Sequence, residues 1–517
     1  MNQYVLGIDV GTTGAKAILL SASGEIKGSG YEEYSCDYPC PGWVEQDADA
    51  LAHAALRVCA EAVTQAGVSP EEVVSLAVSS QRDCAIFVDA SDRPMKMISW
   101  QDSRADAEMS RIEREIGADS FYELFGAPIS SIWILPKILW VQKHDPVLWS
   151  RTVRIVQLQD YILKVLGADG YYADEPDAAF WCMWETDARR WSSDTIERFG
   201  IGKERLPKVT ASGTAVGTVC AEAAAKIGIS KRALLCVGGG DQNCASVGAG
   251  AVTPGMAAIS IGTAGLVAVF SNKRFRDPKR KVMVTNSVVH GNWQIEGNQH
   301  AGASVLRWFR DEIALYDKIE AEKSGESPYD RINKMIAESP PGGRGLVFLP
   351  YFASAGSPRY NPHARGSLLG LTFMHGRKDI ARAIVEGITL DLKDILVSIR
   401  EAGVGVDRIR IMGGATRSDI WNQLQADCYG CTVETVKTTD AALMGAALCA
   451  LVGAGIYPEV RSASEAIVKV NRVYEPDADM TAFYDESYEI YCDAYEALSS
   501  GSNVFRSIAE RQKQIEE

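Results

Sequence analysis

Gly7 to Lys16 reads GIDVGTTGAK and runs on through AILLSASGEI: a strand ending in Asp9, a tight Gly/Thr turn, and a second strand. A looser echo stands at Ile259 to Phe270, ISIGTAGLVAVF. Gly11 and Gly14 permit positive φ, so backbone amides of the turn can point together at phosphate oxygens. Thr12, Thr13 and Thr263 add hydroxyl donors. One such hairpin is compatible with an ordinary β-turn; two in one chain point to related halves facing one nucleotide.

Working outward, strand-like runs recur at Tyr4 to Val10, Ala17 to Leu20, Val73 to Ser79 and Ala85 to Asp89, and Asp49 to Ala66 repeats at helical period until Gly67. A second set begins after the turn Thr253-Pro254-Gly255, with strands in Met256 to Ser271, Trp293 to Glu296 and Arg408 to Met412. Helices are expected at Lys378 to Glu401, Ser418 to Cys428 and Asp440 to Val452. The reading is α/β, with a first domain over 1–252, a second over 253–475, and an acidic, Tyr-rich helical tail over 476–517. The charged stretch Asp317 to Ser339 reads as a solvated helical insertion.

At 517 residues the chain exceeds what one core usually serves. Its formal net charge of -14 argues against nucleic-acid or anionic-membrane partners. No secretion signal opens it, and its longest apolar stretch, Ala441 to Ile456, is too short and glycine-rich to span a bilayer. A cytoplasmic protein is the expectation, and twelve scattered cysteines suit a reducing compartment. Cys428 and Cys431 form a CxxC with no partner motif at zinc-site spacing and read as buried thiols.

Val237 to Ser246, VGGGDQNCAS, delivers Asp241 at a strand end behind three glycines. A carboxylate there can accept the proton of an alcohol attacking a phosphoryl group, or it can cap the helix that follows. Ile411 to Asp419, IMGGATRSD, is a third glycine site, a strand turning into a helix whose N-terminus can meet an adenosine or phosphate. None of the three sites has the G-x-G-x-x-G spacing and no Walker A motif is present, which disfavours a dehydrogenase or P-loop ATPase.

Together these pieces resemble the FGGY carbohydrate kinases, relatives of actin, hexokinase and the heat-shock chaperone ATPases. The resemblance runs from about Tyr4 to Pro458. Gly366 to Gly387, GSLLGLTFMHGRKDIARAIVEG, matches the family's C-terminal signature at Gly366, Gly370, Asp379, Ala383 and Glu386. The earlier signature is partly kept: Lys137-Ile-Leu-Trp140-Val fits, and Ile134 stands where Pro, Ser or Thr is usual.

The resemblance implies two ribonuclease-H-like domains flanking a central cleft that holds ATP and a small hydroxylated substrate. It implies Asp9 on Mg²⁺ through water, Thr12, Thr13 and Lys16 facing the transferred and leaving phosphates, and Gly262 and Thr263 lining them from the other side. Gly413, Gly414, Ala415 and Ser418 match the adenosine segment, and Asp241 matches the catalytic base.

Substrate signals are mixed. Ser80 to Asp83, SQRD, resembles the Gln-Arg-Glu motif of glycerol kinases, as do Trp100 to Arg104, WQDSR, and Gln242 after Asp241. Phe348 to Gly366 looks closer to generic sugar kinases. Gln81, Arg82, Asp83 and Gln242 offer donors and acceptors to adjacent hydroxyls, and Trp100 a flat apolar wall. Asp174 and Asp177 of YADEPDAA are expected near the cleft, while Trp181, Trp184 and Trp191 read as core. The expected function is xylulokinase-like phosphorylation of a sugar or polyol, with glycerol or erythritol, gluconate and a linear dione as alternatives. A non-catalytic ATP-binding regulator is the alternative of another class. A homodimer is left open.

Overall fold

The computed structural model describes residues 3–438 and 440–516. In the first half, strands β1 (Tyr4–Val10), β2 (Gly14–Ser21), β3 (Ile26–Glu33), β4 (Val73–Ser80), β5 (Ala215–Thr218) and β6 (Leu234–Gly240) form one sheet in the order 5-6-4-1-2-3. β1 pairs antiparallel with its hairpin partner β2 and parallel with β4, and β4 pairs parallel with β6. Every residue of β1 is buried, as a central strand covered on both faces requires. Helix α1 (Ala48–Ala66) packs an Ala, Leu and Val stripe against this sheet. Asp47 caps its start by accepting from the amides of Asp49 and Ala50, and Gly67 ends it at φ 62°.

Helix α2 (Asp241–Gly248) follows β6 directly and leads into the second sheet. That sheet contains β7 (Gly255–Ile261), β8 (Gly265–Ser271), β9 (Met283–Asn286), β10 (Trp293–Gln299), β11 (Val406–Met412), β12 (Thr432–Val436) and β13 (Val470–Tyr474) in the order 9-10-8-7-11-12-13. Here β7 pairs antiparallel with β8 and parallel with β11, and β11 pairs parallel with β12. Strands 3-2-1-4-6 and 10-8-7-11-12 therefore match in order and in sense. The echo between the two Gly/Thr hairpins is an echo of whole sheets.

Among the helices of the second half are α3 (Arg377–Glu401), α4 (Asp419–Tyr429), α5 (Ala441–Gly453) and α6 (Ala478–Ser499). α5 leaves the second sheet to lie on the first: a Cβ on Gly7 of β1 would fall 2.5 Å from the Leu443 carbonyl oxygen, and Ser75 of β4 donates to the Ala450 carbonyl at 2.7 Å. It also crosses α2 at backbone contact. A Cβ on Gly248 would lie 1.9 Å from the Ala441 oxygen, and one on Gly445 2.0 Å from the Cys244 oxygen. Only hydrogen at both positions allows this approach.

The stretch read as a solvated insertion forms helices Leu315–Ser324 and Pro328–Glu338, and the second anchors Ile332 and Ile336 in the core. Helix α6 packs on α3 and α4 of the second half. Tyr484 and Tyr491 are buried, and Tyr491 bonds Tyr351 at 2.7 Å and Asp391 at 3.0 Å. Among the described residues no helix is long and apolar enough to cross a membrane, and all twelve cysteines are free thiols.

Candidate active site

The carboxyl ends of β1, β4 and β6 meet on one edge of the first sheet, where open α/β sheets place ligands. Pairing register sets Asp9 beside Ser79, and Ser79 beside Gly239, so Asp9 and Asp241 approach each other across the end of β4. Ser79 Oγ donates to Asp9 at 2.8 Å. Burial, then the neighbouring carboxylates of Asp440 and Asp241, push the Asp9 carboxyl up to about 8. Two further acidic groups thus press on Asp9 and raise the cost of its charge.

Asp241 is the first residue of α2, after Gly240 at the N-cap, and so does not serve as the cap itself. One of its oxygens accepts from the Gln242 amide at 2.7 Å, and its side chain remains 27% exposed toward the cleft. Burial raises its pKa, and Arg82, with Nε 3.6 Å from the carboxylate, opposes that shift. Arg82 is held on every side. Its Nη1 donates to both oxygens of Glu296 at 3.0 Å and to Asn243 at 2.9 Å, and its guanidinium lies 4.1 Å from the centre of the Phe180 ring.

Glu296 is fully buried on β10 and also accepts from Gln294 at 2.8 Å. Asp83, at φ 62°, keeps one oxygen buried without a partner, and burial pushes its carboxyl up to about 7. Lys137 reaches the Asp83 carbonyl from the helix Ile134–His144. Asp177 lies buried behind Gly240 with both oxygens unpartnered, whereas Asp174 caps a short helix by accepting from the Asp177 amide.

At the first hairpin, Thr12 Oγ1 donates to Gln81 at 3.0 Å and accepts from Trp100 Nε1 at 2.9 Å. Thr13 is exposed at the tip. Lys16 forms an ion pair of 2.6 Å with Asp440, which also caps α5. At the second hairpin, Gly262 N donates to the Ala264 carbonyl, and the Thr263 carbonyl accepts from Gly302 N at 2.9 Å and Ser304 Oγ at 2.7 Å.

Gly413, at φ 89°, sits against this hairpin: a Cβ there would come 2.6 Å from the Ile261 oxygen. Gly413 and Gly414 line a cavity of about 620 Å³ with Thr416, Arg417, Lys437 and Ala441, ample for a nucleoside. Ala415 is buried behind that wall. Ser418 caps α4 and donates to Asn333 at 2.8 Å. The cavity touches the second hairpin through Gly413. Its wall also includes Ala441, the neighbour in sequence of Asp440, which pairs with Lys16 of the first.

Residues 4–248 match the N-terminal domain, and residues 257–454 the C-terminal domain, of the FGGY family of carbohydrate kinases. The chain belongs to this family. The kinase is 30% identical to a xylulose kinase of Staphylococcus epidermidis over 95% of its own length and 96% of that protein's. It is 29% identical to a gluconokinase of Bacillus licheniformis over 100% and 99% of the two chains. In fold it superposes on a ligand-bound xylulose kinase from Lactobacillus acidophilus with TM-score 0.89 at 23% identity, covering 97% of this chain and 100% of that one.

The kinase phosphorylates a sugar or polyol with ATP as donor. Four site neighbours escaped the sequence reading: Gln46, Asn243, Glu296 and Asp440. Glu296 carried a signal, a charged residue between Ile295 and Gly297 in the middle of a strand. Asp440 stood at an N-cap position, which by itself suggested nothing more than capping.

Proposed function

We propose that this kinase acts on an uncharged ketose or polyol, in the manner of xylulose kinases, with Asp241 as the base. The observation that carries the reading is the charge state around Arg82. Its guanidinium is neutralised by Glu296 and leans on Asp241, and the carboxyl groups of Asp83 and Asp177 lie close by. A carboxylate-bearing acceptor such as an aldonate would find that guanidinium's charge already taken by Glu296. A neutral polyhydroxylated one would meet donors and acceptors for its hydroxyls.

In this reading the adenosine occupies the cavity beside Gly413 and Gly414, and its phosphates extend between the two hairpins. Amides of Thr12 and Thr13 and of Thr263 and Ala264, with Lys16, offset charge on the transferred group, while those of Gly11 and Gly262 close their own turns. Asp241, oriented by the Gln242 amide and by Arg82, accepts the proton of the attacking hydroxyl.

Among the described residues no three His, Cys, Asp or Glu side chains form a ready-made metal cage. Nucleotide-bound Mg²⁺ needs none, since it takes one or two carboxylates plus phosphates and water. Asp9, pressed by Asp440 and Asp241, fits that role. When bound, the ion would supply Lewis-acid compensation for the β- and γ-phosphates. We also place the protein in the cytoplasm, a setting that suits its twelve free thiols.

A coupled ADP-release screen over ketoses, polyols, aldonates and linear diones tests the substrate class. We expect the highest kcat/KM with a ketose or polyol, and an aldonate or dione as best acceptor overturns the reading. Asp241→Asn should lower kcat by about 10²–10⁴-fold and leave ADP affinity within about threefold. Full activity in that variant would remove Asp241 from the role of base.

A further inference from the structure

Gln46 closes a ring of hydrogen bonds beneath the first hairpin. Its Nε2 donates to the Thr12 carbonyl at 2.9 Å, its Oε1 accepts from Gln81 Nε2 at 2.8 Å, and Gln81 Oε1 accepts from Thr12 Oγ1 at 3.0 Å. Gln46 and Gln81 are both buried.

The polarity of this ring follows from a single fixed point. A carbonyl oxygen can only accept, so Gln46 must turn its nitrogen to Thr12 and its oxygen to Gln81. Gln81 must then answer with its nitrogen, which leaves its oxygen facing Thr12. The Thr12 hydroxyl proton is therefore committed to Gln81. The indole N–H of Trp100, which can only donate, takes one of the two lone pairs of Thr12 Oγ1. What Thr12 still offers is one lone pair.

Phosphate oxygens near neutral pH are acceptors and need donors. We infer that the Thr12 side chain serves the acceptor alcohol, receiving a hydrogen bond from a substrate hydroxyl, while the hairpin meets phosphate through its backbone amides. Gln46 is the positioning residue that sets this division. Trp100, 36% exposed and tied to Thr12, then connects the wall of the acceptor pocket to the phosphate hairpin. Gln46→Leu frees the Thr12 carbonyl and lets Gln81 turn over, so the hydroxyl loses its fixed direction.

This inference rests on the reading that the first hairpin holds phosphate. Three measurements on the full chain separate the two: KM for the best acceptor, kcat, and ADP affinity by calorimetry. Thr12→Val should raise acceptor KM about tenfold and leave ADP affinity within about threefold, with Thr12→Ser close to wild type. Gln46→Leu should raise acceptor KM in the same direction, and the double variant should be no worse than the poorer single one.

A tenfold loss of ADP affinity in Thr12→Val with unchanged acceptor KM would show the hydroxyl donating to phosphate and overturn the inference. So would a Gln46→Leu protein with wild-type values throughout. Lys16→Ala is the control for the underlying reading. If it leaves ADP affinity intact, the hairpin does not hold phosphate; if it weakens ADP while Thr12→Val spares acceptor binding, only the division of labour fails.

Discussion

Asp83 carries a cost of folding that its proposed role in holding the acceptor explains. Buried, with one oxygen unpartnered, its carboxyl is pushed up to about 7 from an ordinary value near 3.8. Between those values the folded chain holds a proton that the unfolded chain releases, so stability falls as pH rises from about 4 to about 7 and then levels off. Asp83→Asn removes that slope, and Asn tolerates the left-handed φ of 62°. Thermal melts should show the variant more stable than wild type at pH 7 to 8, with the gain fading toward pH 4, while acceptor KM rises because a hydroxyl acceptor is lost. A variant less stable at pH 8 would contradict the assigned burial cost. Asp83 was legible in the sequence because Arg82 and Asp83 stand together as donor and acceptor. Gln46 was not, because an amide pairing with a carbonyl 34 residues away leaves no local pattern.

Element by element, the strands and helices lay close to their expected bounds because each has an unambiguous period and punctuation. β1 spans Tyr4 to Val10 as read, and α3 begins one residue earlier than expected. The placement of α5 was not legible. It is apolar all round, which marks a helix buried on every side but does not say against which sheet. The signature stretch Gly366 to Gly387 named the family, yet its residues act as scaffold. Asp379 accepts from Ser339 and Gly376 at the start of α3, and Glu386 accepts from Arg382, Tyr484 and the Gly342 amide. At the α2–α5 crossing, Gly445→Ala should force the helices apart and cost about 1–3 kcal/mol. Urea melts measure that loss, and steady-state kinetics should show kcat and both KM values shifting together, as changes at a junction between lobes do.

Across the whole molecule, the tail is part of the second-half core. α6 inserts Tyr484 and Tyr491 against α3 and Tyr351, and Lys393 pairs with Asp485 at 2.6 Å. Tyr491→Ala should lower unfolding free energy by about 3–5 kcal/mol, read by denaturant titration, with kcat retained at temperatures where the variant stays folded. An unchanged midpoint would make the tail an appendage. Two-sheet architecture was legible from paired hairpins, and the tail was legible as a helix packed on a domain; its place in the second-half core was not, since its acidic surface residues dominate its composition and its buried tyrosines do not.

The backbone contact between α2 and α5 has a mechanical consequence. With no side chain between Cys244 and Gly445, the two lobes share a rivet rather than a cushion, so a turn of one on the other would pivot there. The seat of that joint is two hydrogen atoms, at Gly248 and Gly445, on helices that also carry Asp241 and the Ala441 wall of the cavity.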